Sequence, residues 1–120
     1  MQIKMKIKIY ETIKGIFKKY RDYRGNDIDY ENAKIILKND NTTFLIDVRS
    51  PQEYKEGHLE RSINIPLYDI KEKIHSKIPN KNTPIIVYCQ SGNRSKKAIE
   101  VLEKEGYKNL YNIIGGMDNL

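Results

Sequence analysis

The chain has 120 residues, 38% apolar and 32% charged, enough for one domain with a single core and not for two. One cysteine excludes an internal disulfide framework and, with only two histidines, a structural zinc site, so a reducing compartment, the cytoplasm, is expected. The net charge of +6 lies wholly in residues 1–24, where eight Lys/Arg face Glu11 and Asp22; residues 25–120 hold fourteen of each sign, so no nucleic-acid partner is expected.

From Gln2 to Ile9, isoleucine or methionine at 3, 5, 7 and 9 alternates with lysine at 4, 6 and 8, the period of a strand with one apolar face. From Ile9 the period changes. Ile9, Tyr10, Ile13, Ile16, Phe17 and Tyr20 fall within about 120° of a helical wheel, opposite Lys14 and Lys18. Such a basic amphipathic helix over 9–20 suits an anionic membrane surface, giving a weak peripheral contact, or else covers the domain's own core. No run of 18 apolar residues is present to span a membrane, and no continuous apolar stretch marks a secretory signal. Residues 1–24 are therefore read as a basic extension and 25–120 as the domain.

Gly25-Asn26 is a turn, and Asp29 caps a helix running to about Lys38 with Ala33, Ile36 and Leu37 inward. Thr43 to Val48 is too apolar for a half-exposed strand and is predicted central and parallel. Ser50-Pro51-Gln52-Glu53 is a capping box with proline at the first helical position, and Gly57 ends that short helix. A strand at Ile63-Asn64-Ile65 is halted by Pro66. Asp69 with Glu72 gives another capping pattern, for a helix with Ile70, Ile74 and Ile78 on one face. After the turn at 79–82, Ile85 to Tyr88 reads as a buried strand, and Leu110 to Ile114 as the last, before Gly115-Gly116. Strands alternating with helices predict an α/β domain: a mostly parallel five-stranded sheet with helices on both faces.

Cys89 stands where the strand 85–88 ends. A six-residue loop, Cys89-Gln90-Ser91-Gly92-Asn93-Arg94, leads into a helix from Ser95 to Glu105, carrying Ala98, Ile99, Val101 and Leu102 inward and stopped by Gly106. Backbone N–H groups of such a loop converge on one point, the helix dipole adds partial positive charge, and Arg94 adds a full one. A thiol so placed loses its proton readily and becomes a nucleophile. Lys96 and Lys97 either widen that positive field or are a solvated helix start. Asp47 and Arg49 read as a pair that braces loops, His58 as a hydrogen-bond donor that fixes one, and His75 is given no role.

The order Leu45-Ile46-Asp47-Val48-Arg49, Glu53-Tyr54, Gly57-His58-Leu59, Ser62-Ile63-Asn64-Ile65-Pro66, Val87-Tyr88-Cys89, Gly92-Asn93-Arg94-Ser95 and Gly115-Gly116 resembles a single-domain rhodanese over about residues 26–117. The resemblance implies a sulfurtransferase without cofactor or metal. In it Cys89 attacks a small sulfane-sulfur anion such as thiosulfate and carries the sulfur as a persulfide. The amides of Gln90, Ser91, Gly92, Asn93, Arg94 and Ser95 would cradle the anion, with Arg94 on the donor's charged end. Because the chain holds no second cysteine, the acceptor is an external thiol, a protein or cyanide. A sulfur-carrying or interaction module without turnover is the second reading. A small phosphatase is the third, since related phosphatases resemble C-x5-R rather than the C-x4-R found here. The chain departs from the family in ending at Met117-Asp118-Asn119-Leu120, with no tryptophan and no longer closing tail.

Overall fold

The computed structural model describes Thr12, Gly15, Ile16 and residues 26–120. The strand expected over 2–9 and most of the helix over 9–20 lie outside these residues. Thr12, Gly15 and Ile16 are helical, and the half-buried Ile16 packs against the domain's own core.

Five strands form one sheet in the order β1-β5-β4-β2-β3, every neighbouring pair parallel. They are β1 Asp27–Ile28, β2 Phe44–Asp47, β3 Ser62–Asn64, β4 Ile85–Tyr88 and β5 Leu110–Ile113. The helices are α1 Tyr30–Asn39, α2 Pro51–Glu56, α3 Ile70–Lys77 and α4 Asn93–Lys104, with 3-10 turns at Leu67–Asp69 and Gly116–Asn119. The expected α/β architecture is therefore present, its sheet parallel throughout among the described residues. The edge beside β5 is filled by Asp27–Ile28, two residues the sequence placed on the approach to a helix cap. Their backbone pairs with Asn112 and Ile113.

The central strands are the apolar runs because both their faces are covered. All four residues of β4 are buried, and side chains alternate across a strand. Ile85, Val87 and Cys89 join Ile70 and Ile74 of α3 and Ala98, Ile99 and Leu102 of α4 on one face. Ile86 and Tyr88 join Ile28, Ala33, Ile36 and Tyr111 on the other, under α1. Each such isoleucine contributes about 1.5–3 kcal/mol by leaving water.

Local signals set the helix ends. The Asp29 carboxylate accepts from Asn32 N at 2.8 Å and starts α1. Arg61, the one described non-glycine residue at positive φ (74°), donates to the carbonyls of Leu37, Asp40 and Thr43 at the end of that helix. Ser50 and Glu53 form the predicted capping box of α2. The pattern at Asp69 and Glu72 does not cap: the 3-10 turn runs straight into α3, leaving the Asp69 carboxylate to pair with Lys73 at 2.9 Å.

Strand order reverses between β2 and β4: β3 lies outward on one side of β2, and β5 outward on the far side of β4. In open parallel sheets, ligands bind beyond the strand carboxyl ends at that reversal. Arg49 follows β2 and Cys89 follows β4, one on each side of it.

Candidate active site

Tyr88 and Cys89 end the most buried strand, and the chain must turn at once to enter α4. Gly92 permits the turn: at φ 102° it takes a backbone form costly to any residue with a Cβ. The turn aims its N–H back at the Cys89 sulfur, 3.0 Å away. Ser95 N adds a second donor at 3.4 Å, and the Ser95 hydroxyl lies 3.4 Å from the same sulfur. Burial raises the thiol's proton affinity. The Ser95 hydroxyl and the amides of Ser95, Gly92 and Ser91 more than offset it, so the thiol sits below its ordinary value of 9.0. The cysteine is fully buried beneath its loop, while Ser91, Asn93, Lys96 and Lys97 are exposed above it.

The loop carbonyls are drawn the opposite way by the end of the chain. Met117 N donates to Cys89 O and Asp118 N to Gln90 O, both at 2.9 Å. Gln90 itself reaches sideways, accepting from Arg49 Nη1 at 3.1 Å and donating to the Asp118 carboxylate at 2.7 Å. Gly115-Gly116 make this approach possible, because a Cβ on Gly116 would lie 2.2 Å from Cys89 O. The residues after the paired glycines thus close over the loop. Gly116→Ala, strained at φ 61° as well as crowded, is expected to cost about 2–3 kcal/mol and slow the cysteine's chemistry. Urea midpoints and the rate of thiol alkylation, measured together, check both effects.

Asp47 and Arg49 are paired as read from the sequence, Arg49 Nη2 lying 2.8 Å from Asp47 Oδ2 with both side chains buried. Arg49 also donates to Gly57 O at 2.7 Å, joining β2, the end of α2 and the cysteine loop. His58 is exposed, stacked on Tyr54 at 3.7 Å, with its Nδ1 2.7 Å from Tyr54 O. It closes the turn after α2 and lies apart from the sulfur's hydrogen bonds. Tyr88 accepts from Leu59 N and donates to Ser62 Oγ; burial pushes its phenol up to about 12.

Arg94 has a partner that the sequence did not suggest. Its guanidinium is gripped by Glu53 through two bonds, Nη1 to Oε1 at 2.6 Å and Nη2 to Oε2 at 2.9 Å. Arg94, with Ser50 backbone and side-chain bonds, holds the Glu53 carboxyl at about 2. Sequence reasoning gave Glu53 only its local capping role. Asn64, whose amide ties Asp47 O to Arg49 O at 3.0 Å each, also went unread, since nothing in a strand residue's spacing signals a cross-chain bridge.

The model of the rhodanese-like domain matches residues 30–120. The chain belongs to the rhodanese-like domain family. The rhodanese-like chain is 41% identical over 75 residues to the thiosulfate sulfurtransferase PspE of Escherichia coli, covering 62% of this chain and 71% of that one. It is 35% identical over 118 residues to the tRNA uridine(34) hydroxylase of Pelagibacter ubique, covering 97% of this chain but only 38% of that protein. A solved structure of a rhodanese with anions from E. coli superposes with a TM-score of 0.60 at 38% identity, over 65% of this chain and 91% of the other. Sulfur-transfer proteins thus stand among its relatives, and no described helix is long and apolar enough to cross a membrane.

Proposed function

We propose that the protein is a sulfurtransferase that moves sulfane sulfur through a Cys89 persulfide. The observation that carries this reading is the sulfur's surroundings: two backbone amides aimed at one buried thiol at the sheet's reversal point, with the Ser95 hydroxyl 3.4 Å from the same sulfur. Such preorganised donors stabilise a thiolate before reaction and a persulfide anion after it.

The steps balance without any cofactor. The Cys89 thiolate attacks the outer sulfur of thiosulfate, a new S–S bond forms, the donor's S–S bond breaks, and sulfite leaves with the electron pair. An acceptor nucleophile, cyanide or a thiolate, then attacks the outer persulfide sulfur and Cys89 leaves as thiolate. The 120 residues hold no second cysteine, so the acceptor lies outside them, a small thiol or a protein in a reducing compartment such as the cytoplasm.

Intact mass after incubation with thiosulfate or a thiosulfonate tests the proposal. The expected result is a gain of one sulfur atom that cyanide removes. A titratable thiol that gains no sulfur from either donor would overturn it.

The match to the tRNA uridine(34) hydroxylase over 97% of this chain favours a second reading, in which the domain is the cysteine-bearing part of a reaction on an RNA uridine. Tight binding of an anticodon-stem RNA, with sulfur loading but no turnover to thiols, would bring that reading forward.

A further inference from the structure

Among the described residues, both arginines that border the loop are already occupied. Arg49 is consumed by Asp47, and Arg94 by the two-point grip of Glu53. Glu53 is itself fixed at a third point, its Oε1 accepting from Ser50 N at 3.2 Å. Its carboxyl is held at about 2, so the negative charge persists across ordinary pH. Asp118 sets another carboxylate against Gln90 on the exposed side of the loop. An arriving anion therefore meets backbone amides and the exposed Lys96 and Lys97, while the Arg94 guanidinium at the end of the loop is cancelled by a tethered carboxylate.

We propose that Glu53 sets donor specificity: by holding Arg94 it disfavours the doubly charged thiosulfate and leaves the site suited to singly charged sulfane donors, a persulfide or a thiosulfonate. This rests on the sulfur-transfer reading and deepens it. The chemistry is the same for each donor. Cys89 thiolate takes the outer sulfur, and the electron pair of the broken S–S bond leaves on sulfite, on sulfinate or on a thiolate. Only the charge that must approach Arg94 differs. A dianion feels a given potential twice as strongly as a monoanion, so the fold-effect of removing the opposing carboxylate is squared.

Glu53→Gln makes the test clean. Glutamine serves the same position of a capping box, and its amide oxygen still reaches Arg94, so the helix start is kept and only the charge goes. The experiment measures KM and kcat for thiosulfate and for methanethiosulfonate, with cyanide as acceptor, at low salt and at about 0.5 M salt. In Glu53→Gln the thiosulfate KM is expected to fall about tenfold at low salt and that for methanethiosulfonate about threefold, with kcat within about twofold. The gap should shrink at high salt. Ser50→Ala weakens the same helix end without touching the charge, and its KM values should stay at wild type. Unchanged or equal shifts for the two donors, a shift shared by Ser50→Ala, or a rise in thiosulfate KM would overturn the proposal; a rise would mean that Glu53 presents Arg94 to the donor. Wild type that loads sulfur from neither donor would instead overturn the sulfur-transfer reading itself.

Discussion

Cys89→Ser is expected to load no sulfur and to lower turnover by at least about 1000-fold while leaving the fold in place. The replacement keeps the shape of the site. A serine oxygen can take the bonds that Gly92 N and Ser95 now give to sulfur, so stability should change by only about 1 kcal/mol. What is lost is the thiolate. Wild-type loading at low donor concentration should rise with pH as the thiol ionises and level off above its folded value, which lies below 9.0. Ser95→Ala removes one stabilising bond to the thiolate, so that rising limb should move to higher pH. Loading rates followed by mass across a pH series check the sign; a limb that moves down, or a serine variant that still loads, would contradict the site.

The largest stability effect should come from the buried pair beside the loop. Arg49→Ala leaves the Asp47 carboxylate, which is 0% exposed, without its counter-charge, and is expected to cost about 3–5 kcal/mol. That is a large share of the roughly 5–15 kcal/mol that holds a domain folded. The variant also loses Arg49's bonds to Gly57 O and Gln90, so α2 and the cysteine loop should loosen together. The double change Asp47→Asn with Arg49→Met buries no charge and should recover more than half of the loss in urea unfolding. A double variant as unstable as Arg49→Ala would show that the cost arises from lost packing rather than from an orphaned charge.

Elements whose cause is local were readable from the sequence. β2 and β4 appear as apolar runs because a parallel strand between two layers must be greasy on both faces. Asp29 and Ser50 announce helix starts because a cap answers amides two or three residues away. The cysteine loop is legible because a strand, a glycine and a helix follow within a few residues. What stayed hidden depends on partners far along the chain. β1 is two residues with one buried isoleucine, and only Asn112 and Ile113, the length of the domain away, make it a strand. Glu53 had a sufficient local explanation as a cap, so nothing in its neighbourhood pointed to Arg94 across forty residues. Asp69 shows the reverse case: a capping pattern satisfied another way, by a 3-10 turn that supplies the helix start and a lysine that takes the carboxylate.

The hold of Met117 and Asp118 on the carbonyls of Cys89 and Gln90 has a bearing on synthesis. A growing chain exposes its cysteine before the residues that orient the cysteine's loop have been added. Until they arrive, the carbonyls of Cys89 and Gln90 lack these two donors, and the loop that aims Gly92 N at the sulfur is less firmly held. The order of the cysteine's loop is thereby tied to the Gly115–Asp118 turn: a nicked chain lacking it keeps the cysteine in a looser loop.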